Sequence, residues 1–221
     1  GLVIANASPP FAQTLQLGGT VDASFDMSSV GAAAQYRNFN RISKTGTSSW
    51  TLTGNASGMP TSPWSLTQGT LVFDDTATGS VAAMLGTGAL VFQQDGTLSV
   101  GNLNGAISVL QSGPGTTALV GNNHSLGTTI TGGKLSISAE NALGTGAFTI
   151  NGGTLQWTGG TGSIARAINW GASGGGFEVT SPAAFLTVSQ ALTGGGPLTK
   201  YGSGTLVLTA NHSYSGGTTV A

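Results

Sequence analysis

Glycine limits what this chain can fold into more than any other residue, since 38 of its 221 residues are glycine and they are spread along its length. Glycine weakens helices and favours turns. Apolar and β-branched residues form short runs bounded by Gly, Asn or Asp: TLVF (70–73), ALVF (89–92), AFTI (147–150) and TLVL (205–208). This pattern predicts many short strands joined by turns. The best helix candidate is the short segment 31–39.

Charge and cysteine content exclude several classes of protein. The chain has six Lys and Arg against seven Asp and Glu, a net charge of −1, so it lacks the basic surface that nucleic acids or anionic membranes require. No apolar run approaches the roughly 20 residues of a membrane helix. The absence of cysteine excludes a disulfide scaffold, a thiolate metal site and a cysteine nucleophile.

Two kinds of internal repeat run along the chain. The segment LGTGA occurs at Leu85–Ala89 and again at Leu143–Ala147, each time before a strand-like run and a glycine turn. ISKTGTSSWTLTGN (42–55) also matches LTKYGSGTLVLTAN (198–211), and LQSGPGTTALVGNN (110–123) is a degraded copy. Such self-similarity is typical of stacked repeat proteins.

The spacing of the second repeat suggests its period. If Gly46, Gly113 and Gly202 are equivalent, their separations fit three and then four units of about 22 residues. Short strands with this period and no intervening helices predict an all-β fold, a parallel β-helix (β-solenoid) of about ten rungs. Leu, Val, Ile and Phe would point inward, and Thr, Ser and Asn outward. Stacked rungs favour neutral polar side chains because identical charges would repel one another.

The repeats predict one β-helix segment over residues 1–221. Within it, residues 1–41 form the least regular rungs, although LQLGGTVDASF (15–25) is typical of two strands around a turn. The remainder divides into repeat blocks at 42–109, 110–197 and 198–221.

Residues 198–220 follow the pattern Leu-Thr-Lys-x-Gly-x-Gly-Thr-Leu-x-Leu-Thr-x-Asn-x-x-Tyr-x-Gly-Gly-Thr-Thr-Val. This pattern resembles the autotransporter-associated β-strand repeat, also called the passenger-associated transport repeat. Residues 124–156 resemble its usual continuation, and residues 42–100 resemble a divergent copy with an insertion at 56–65.

The resemblance implies a right-handed parallel β-helix in the passenger of a type V secreted protein. Such a passenger passes the periplasm after signal-peptide export and crosses the outer membrane with a C-terminal translocator barrel. The barrel is missing from this sequence, so we expect a piece of a longer passenger. We expect a structural stalk, displayed at the bacterial surface or released, that supports adhesion or self-association. Its expected partners are the barrel and a host receptor, a glycan or a second copy, without nucleic acid or insertion in the membrane.

Catalysis is not expected. GASGG (171–175) satisfies the G-x-S-x-G nucleophile pattern around Ser173, but a strand-like segment follows where a helix is required, so a β-turn is predicted. Asp74 could lie near Asp95 one rung on, as an acid pair or a weak Ca²⁺ site, although a solvated turn fits better. The segment before Lys134 fails the phosphate-loop pattern.

No cofactor or metal is expected. His124 and His212 lack a third ligand type nearby, which disfavours zinc. Lys200 recurs as Lys44 and is matched with Ser112 in the degraded copy. We therefore interpret Lys200 as a contact on the face of the rungs rather than a catalyst.

Aromatic side chains are the best candidates for contact with a partner. Trp64 follows Pro60 and Pro63 near the end of the 56–65 insertion and is expected to be exposed, while Trp50 falls at a position of core or rung edge. Tyr201 and Tyr214 are the other contact candidates.

Two alternatives remain open. A β-helical polysaccharide-active enzyme needs a carboxylate and basic cluster on one face, for which the chain has few charges. A threonine-ladder solenoid of the ice-binding kind needs Thr-x-Thr in every rung, and the pairs Thr51/Thr53 and Thr76/Thr78 are irregularly spaced.

Overall fold

The computed structural model describes residues 3–4 and 13–221. This part of the chain is all-β, a parallel β-solenoid of about nine turns, which confirms the predicted fold class. Its only helices are three short 3-10 turns, at Met27–Ser29, Ala56–Gly58 and Glu140–Leu143.

The first strands in chain order are β1 (Val3–Ile4), β2 (Thr14–Leu17), β3 (Ala23–Asp26), β4 (Tyr36–Arg37), β5 (Arg41–Lys44), β6 (Ser49–Thr53), β7 (Trp64–Leu66), β8 (Thr70–Phe73), β9 (Gly79–Val81), β10 (Met84–Phe92), β11 (Thr97–Val100), β12 (Leu103–Gln111), β13 (Thr116–Leu119) and β14 (Asn122–His124). They are followed by β15 (Thr128–Ile130), β16 (Lys134–Ile137), β17 (Phe148–Ile150), β18 (Thr154–Trp157), β19 (Gly162–Ile164), β20 (Ile168–Trp170), β21 (Gly175–Val179), β22 (Phe185–Val188), β23 (Thr193–Gly194), β24 (Leu198–Tyr201), β25 (Thr205–Leu208), β26 (Ser213–Tyr214) and β27 (Thr218–Val220).

Two long parallel sheets, which overlap in the middle of the chain, form most of the solenoid. The first has the order β2-β5-β7-β10-β12-β15-β17-β20, and β3-β6-β8 joins it because the long strand β10 pairs with both β7 and β8. The second has the order β9-β11-β13-β16-β18-β21-β24-β27. Shorter sheets, β19-β22-β25 and β23-β26, close the later rungs, and β1 pairs with β4.

The strand register gives the length of each rung directly, as the sequence separation between paired residues. Thr14 pairs with Arg41 near the start of the coil, and this rung is longer than the predicted period. The rung that leads from Thr97 to its partner Thr116 is shorter than that period. The rungs therefore vary around the predicted length and are shortest in the middle of the chain.

The LGTGA copies are separated by whole turns, as a stacked array predicts. Successive pairing leads from Leu90 to Val109, then to Thr128 and to Phe148, so ALVF and AFTI lie three rungs apart in the same register. The first LGTGA is part of strand β10. The second begins with the last residue of a 3-10 turn and leads into β17.

The copies at 42–55, 110–123 and 198–211 are not separated by whole turns. Three rungs from Lys44 lead through Leu66 and Gly86 to Gly105, not to the turn that contains Gly113. The assumption that these copies are separated by whole turns is therefore wrong. The repeated unit is a strand, a corner and a strand, and it recurs at different corners of the coil.

The core fills the interior of the coil with side chains that alternate along each strand. In β8, Leu71 and Phe73 are buried and the residue between them is partly exposed. Phe73 stacks on Phe92 of the next rung, with ring centroids 5.1 Å apart. Trp170 stacks similarly on Phe177, at 6.0 Å. The apolar runs are thus inward strands, as predicted.

Serine and threonine mark the ends of many strands. Their backbone N–H and side-chain hydroxyl both donate to one carbonyl of the preceding rung. At Thr67, for instance, the amide nitrogen and the hydroxyl lie 2.9 and 3.1 Å from the oxygen of Lys44. The others are Ser112, Ser125, Thr131, Thr158, Thr180 and Ser189.

The N-terminal block is irregular, as expected. β2 and β3 confirm the two strands predicted within 15–25, whereas residues 31–39 contain turns and the two-residue strand β4 rather than a helix. Three residues of this segment, Ala32–Ala34, are small and gain little from a helix without an apolar face. Residues 1–2 and 5–12 of the block lie outside the described residues.

Close backbone stacking makes one glycine position intolerant of a side chain. Gly105 has a φ of +112°, and a Cβ atom there would lie 2.2 Å from the oxygen of Gly86 in the preceding rung. We expect Gly105→Ala to lower the free energy of unfolding by about 2–4 kcal/mol, because it adds both backbone strain and overlap. Urea unfolding followed by circular dichroism measures this change.

Gly195 provides the control, because a Cβ there meets none of the described atoms within 4 Å. Gly195→Ala should change stability by less than about 0.5 kcal/mol. Equal stability of the two variants would contradict the close stacking at Gly105.

Candidate functional site

The polar side chains that the sequence singles out lie beneath the corners of the coil. Lys44 ends β5 and is 0% exposed. Its Nζ donates to the oxygens of Thr45 at 2.9 Å, Gly46 at 2.8 Å and Gln68, in the next rung, at 3.2 Å. All three ammonium donors are therefore used on backbone carbonyls of two successive corners.

Lys200 makes the same arrangement in the other long sheet. It is 9% exposed, and its Nζ donates to the oxygens of Tyr201 at 2.6 Å and Gly202 at 2.7 Å. The interpretation of Lys200 as a contact on the rung face is wrong, because the side chain turns under the corner to reach the carbonyls there. The Lys-x-Gly segment thus encodes a corner in both copies.

The degraded copy keeps this function with a different residue. Gln111, two residues before Gly113, is 0% exposed and donates from Nε2 to the oxygens of Gly113 at 2.9 Å and Gly115 at 3.4 Å. Ser112 is therefore not the counterpart of Lys200. The spacing to the shared glycine identifies Gln111 from the sequence, whereas matching by the leading leucine does not.

A small buried network extends this corner. The hydroxyl of Thr117 donates to Oε1 of Gln111 at 2.6 Å and accepts from Nε2 of Gln94 at 2.7 Å. All three side chains are 0% exposed. Their polar atoms are used within the fold rather than presented to a ligand.

Burial lowers the pKa of both lysines from its ordinary value. In each case a carboxylate, Asp22 near Lys44 and Glu178 near Lys200, opposes this effect and raises the pKa. A buried lysine with a lowered pKa is a common feature of catalytic sites. Here the donors are directed at the protein's own carbonyls, which favours a structural role.

A second polar corner surrounds His124. This residue is 0% exposed, and its Nε2 lies 2.9 Å from the hydroxyl of Thr128, which itself donates to the oxygen of Leu143 at 3.0 Å. Since that hydroxyl hydrogen is used, Nε2 must be the donor, and the ring is the neutral Nε2–H form. Its Nδ1 is buried without a hydrogen-bond partner among the described residues.

Arg166 braces the same corner. Its guanidinium donates to the oxygens of Leu143, Gly144 and Gly146, and its Nε lies 3.5 Å from Oε1 of Glu140. The same carboxylate oxygen accepts from the backbone amide of Arg166 at 2.9 Å. Burial, and then the charge of Arg166, lower the pKa of His124 to about 4. The histidine is therefore uncharged at neutral pH.

The candidate catalytic residues are turn residues. Ser173 is exposed between β20 and β21, in a turn closed by the amide of Gly174 donating to the oxygen of Gly171 at 3.0 Å, so the predicted β-turn is confirmed. Asp74 caps its own turn, accepting from the amide of Thr76 at 3.0 Å and from its hydroxyl at 2.7 Å. The amide of Asp95 donates to the oxygen of Asp75, one rung away.

Each of the four tryptophans donates its indole N–H to a turn carbonyl. The acceptors are Gly18 for Trp50, Pro60 for Trp64, Gly160 for Trp157 and Gly196 for Trp170. The expectation that Trp64 is exposed is wrong, because it begins β7 with its ring in the core and only 1% exposed. Trp50 is partly buried against the core, as predicted.

The two tyrosine candidates lie nearer the surface. Tyr201 is 39% exposed and covers Gly176, where an added Cβ would lie 2.8 Å from its ring. Tyr214 is half-buried against Trp170, and its hydroxyl is 2.6 Å from that of Thr218.

Among the described residues, no three or more His, Cys, Asp or Glu side chains group closely enough to hold a metal ion. In the same residues, no helix has the length and apolar character needed to cross a membrane.

The comparisons with known proteins agree with the repeats. The model of the passenger-associated-transport-repeat family matches residues 109–137, 141–156 and 198–221. Residues 42–100, interpreted as a divergent copy, lie outside these segments and stay a prediction.

A curated relative is the Adhesin BmaC autotransporter of Brucella suis biovar 1 (strain 1330), 37% identical over 123 residues. The alignment covers 50% of this chain and 4% of that protein, so the chain spans only a small part of its relative. No solved structure matches the chain.

The corner lysine is testable by substitution. Lys44→Met removes the donors of three carbonyls, and we expect the free energy of unfolding to fall by about 1–3 kcal/mol. Lys44→Gln should lose less, because Gln111 performs this role in the related corner. Urea unfolding of each variant gives the change.

Lys134→Met is the matched control, since this lysine is 43% exposed in an ion pair with Glu178. Its removal should cost less than about 1 kcal/mol. A Lys44→Met protein as stable as the original would contradict the corner role.

The lowered pKa of His124 predicts that the stability of the fold decreases in acid. Its folded pKa of about 4 lies below the ordinary 6.5, so the unfolded chain binds the proton more readily between these values. Its contribution to stability is full above about pH 6.5 and falls by about 3 kcal/mol as the pH drops to 4. Unfolding measured at several pH values, with His124→Gln for comparison, isolates this part. An identical pH dependence of the two proteins would contradict it.

Proposed function

We propose that this autotransporter passenger, which carries passenger-associated transport repeats, acts as a β-solenoid stalk. The family match, the similarity to an autotransporter adhesin and the parallel coil support this role. The observation that carries it is the use of the buried polar side chains on the coil's own corners. Lys44, Gln111, His124 and Lys200 direct their donors at the fold itself rather than at a substrate.

The side of the stalk is the surface for adhesion or self-association. One column of the second long sheet, the threonine column, consists of outward residues that pair in register through seven rungs. Its members are Thr97, Thr116, Lys134, Thr154, Gly176, Thr199 and Thr219. Neutral hydroxyls at rung spacing offer a repeated hydrogen-bonding surface without charge repulsion.

Tyr201 is the anchor that we assign to this face. It lies across Gly176, where the column lacks a side chain, and it is 39% exposed. Aromatic residues carry much of the binding energy in many interfaces. Tyr214 is a weaker candidate, because its hydroxyl is already paired with Thr218.

The setting of the stalk follows from the type of protein. The chain would reach the bacterial surface or be released after export through the periplasm and passage of the outer membrane with a translocator barrel. A host receptor, a glycan or another copy of the stalk would then meet the threonine column.

The alternatives have less support. A polysaccharide-active enzyme would need paired carboxylates, and Asp74 is used to cap a turn. Turnover of a glycan that is lost in Asp74→Ala or Asp95→Ala would establish that alternative. A regular threonine ladder also fails at Thr51, whose partners in the neighbouring rungs are Ser24 and Val72.

Tyr201→Ser tests the proposed face. We expect about tenfold weaker self-association or binding to cultured epithelial cells, because a supported aromatic anchor contributes at least about 1.4 kcal/mol. Sedimentation equilibrium measures the first, and fluorescently labelled protein measures the second.

Val120→Ser is the control, because Val120 is 62% exposed and lies outside the threonine column. It should leave both kinds of binding unchanged. A chain that neither self-associates nor adheres, or a Tyr201→Ser variant with unaltered binding, would contradict the role of this face.

A further inference from the structure

A groove of about 500 Å³ lies on the outer face of the first long sheet, away from the threonine column. Its volume falls within the range of small-ligand sites, about 300–1,000 Å³. Its lining includes Thr14, Arg41, Ser43, Ser65 and Leu85.

The strand register makes the floor of this groove continuous. Thr14 pairs with Arg41, and in the adjoining column Ser43 pairs with Ser65, which pairs with Leu85. The floor therefore crosses four successive rungs, β2, β5, β7 and β10, and extends about 14 Å at the usual strand spacing. This length suits an extended ligand rather than a single ion.

One wall of the groove comes from the 56–65 insertion. Ser62 is partly exposed there, and the segment is fixed because the indole of Trp64 donates to the oxygen of Pro60 at 3.3 Å. The buried Trp64 thus anchors the insertion, and the anchored insertion forms a hydroxyl-bearing wall beside the sheet.

The groove carries one positive charge. Arg41 is exposed, and the two ion pairs of the described residues involve Lys134 and Arg166 instead. Among the described residues that line the groove there is no Asp or Glu, and none occurs in the sequence at 1–12. The guanidinium is therefore available for an anion, and its planar fork matches a carboxylate in two hydrogen bonds.

We propose that this groove binds an acidic saccharide, with a sugar carboxylate on Arg41. The hydroxyls of Ser43, Ser62 and Ser65 would pair with sugar hydroxyls, and Leu85, 46% exposed, would contact the apolar side of a ring. A nucleic acid is disfavoured, because a single cation neutralises too little of its phosphate charge. The inference goes beyond the proposed function, because this groove lies on the other long sheet from the threonine column.

The test uses the full chain and defined probes. Isothermal titration calorimetry compares a tetrasaccharide of alternating glucuronate and N-acetylglucosamine, its neutral methyl ester, sialyllactose and lactose. We expect one or both carboxylated probes to bind and the neutral probes not to bind. The carboxylated probe that binds distinguishes a uronate from a sialate.

Arg41→Gln should weaken binding of the carboxylated probe at least tenfold, the effect of losing a hydrogen bond to a charged group. Arg41→Lys should recover part of the affinity, and Val120→Ser, outside both the groove and the threonine column, should change it less than twofold. Urea unfolding confirms that each variant is folded. Three results would overturn the proposal that this groove binds an acidic saccharide: failure of both carboxylated probes to bind, equal binding of their neutral counterparts, or unchanged binding by Arg41→Gln.

Cell adhesion separates this proposal from the stalk's general function. If the original chain does not bind the saccharides and Arg41→Gln still adheres to cells, the proposal of a saccharide site in the groove is overturned. The adhesive function is then left intact. Saccharide binding that depends on Arg41, in a chain that does not adhere to cells, supports the groove and contradicts adhesion.

Discussion

Parallel pairing between successive rungs is the interaction on which the rest of this structure depends. It satisfies the strand amides and carbonyls along two long sheets, but it stops wherever the chain turns. Carbonyls at the turns then face the interior, where an unpaired polar group costs about 1–3 kcal/mol. The coil can close only if other donors reach those carbonyls.

Long polar side chains provide these donors. Lys44 and Lys200 use ammonium groups, Gln111 uses an amide and Arg166 uses a guanidinium, while each tryptophan contributes its indole N–H. The chemical groups differ, yet each ends a stem long enough to pass under a turn. This explains why a protein with few charges places two of its six Lys and Arg residues among its buried residues.

Much of the fold could be predicted from the sequence. TLVF and TLVL are strands β8 and β25 at their predicted bounds, because apolar alternation between glycines leaves few other structures. The LGTGA repeat was also visible in the sequence, but its separation of three rungs follows only from the strand register. The lengths of the rungs were harder to predict, because the lysine repeat marks corners rather than whole turns.

The site was harder to predict than the fold. Lys200 was expected on the rung face because it was matched with Ser112, and Trp64 was expected outside because it lies in the insertion, yet both are buried. Whether a polar side chain is buried depends on unpaired carbonyls that appear only when the coil closes. The groove beside Arg41 also forms only when the coil is complete, since it combines residues from four rungs with a wall from the insertion.

Register between rungs is the central claim, and disulfide cross-linking measures it directly because the chain has no cysteine. Thr97 and Thr116 are partners in β11 and β13, whereas Thr97 and Ala118 are offset by two residues. Their Cα atoms should be about 4.8 and 8 Å apart, on either side of the roughly 7 Å limit for a disulfide. Mild oxidation should cross-link Thr97→Cys/Thr116→Cys and leave Thr97→Cys/Ala118→Cys reduced. Equal cross-linking of both pairs, or of the offset pair alone, would contradict the parallel coil.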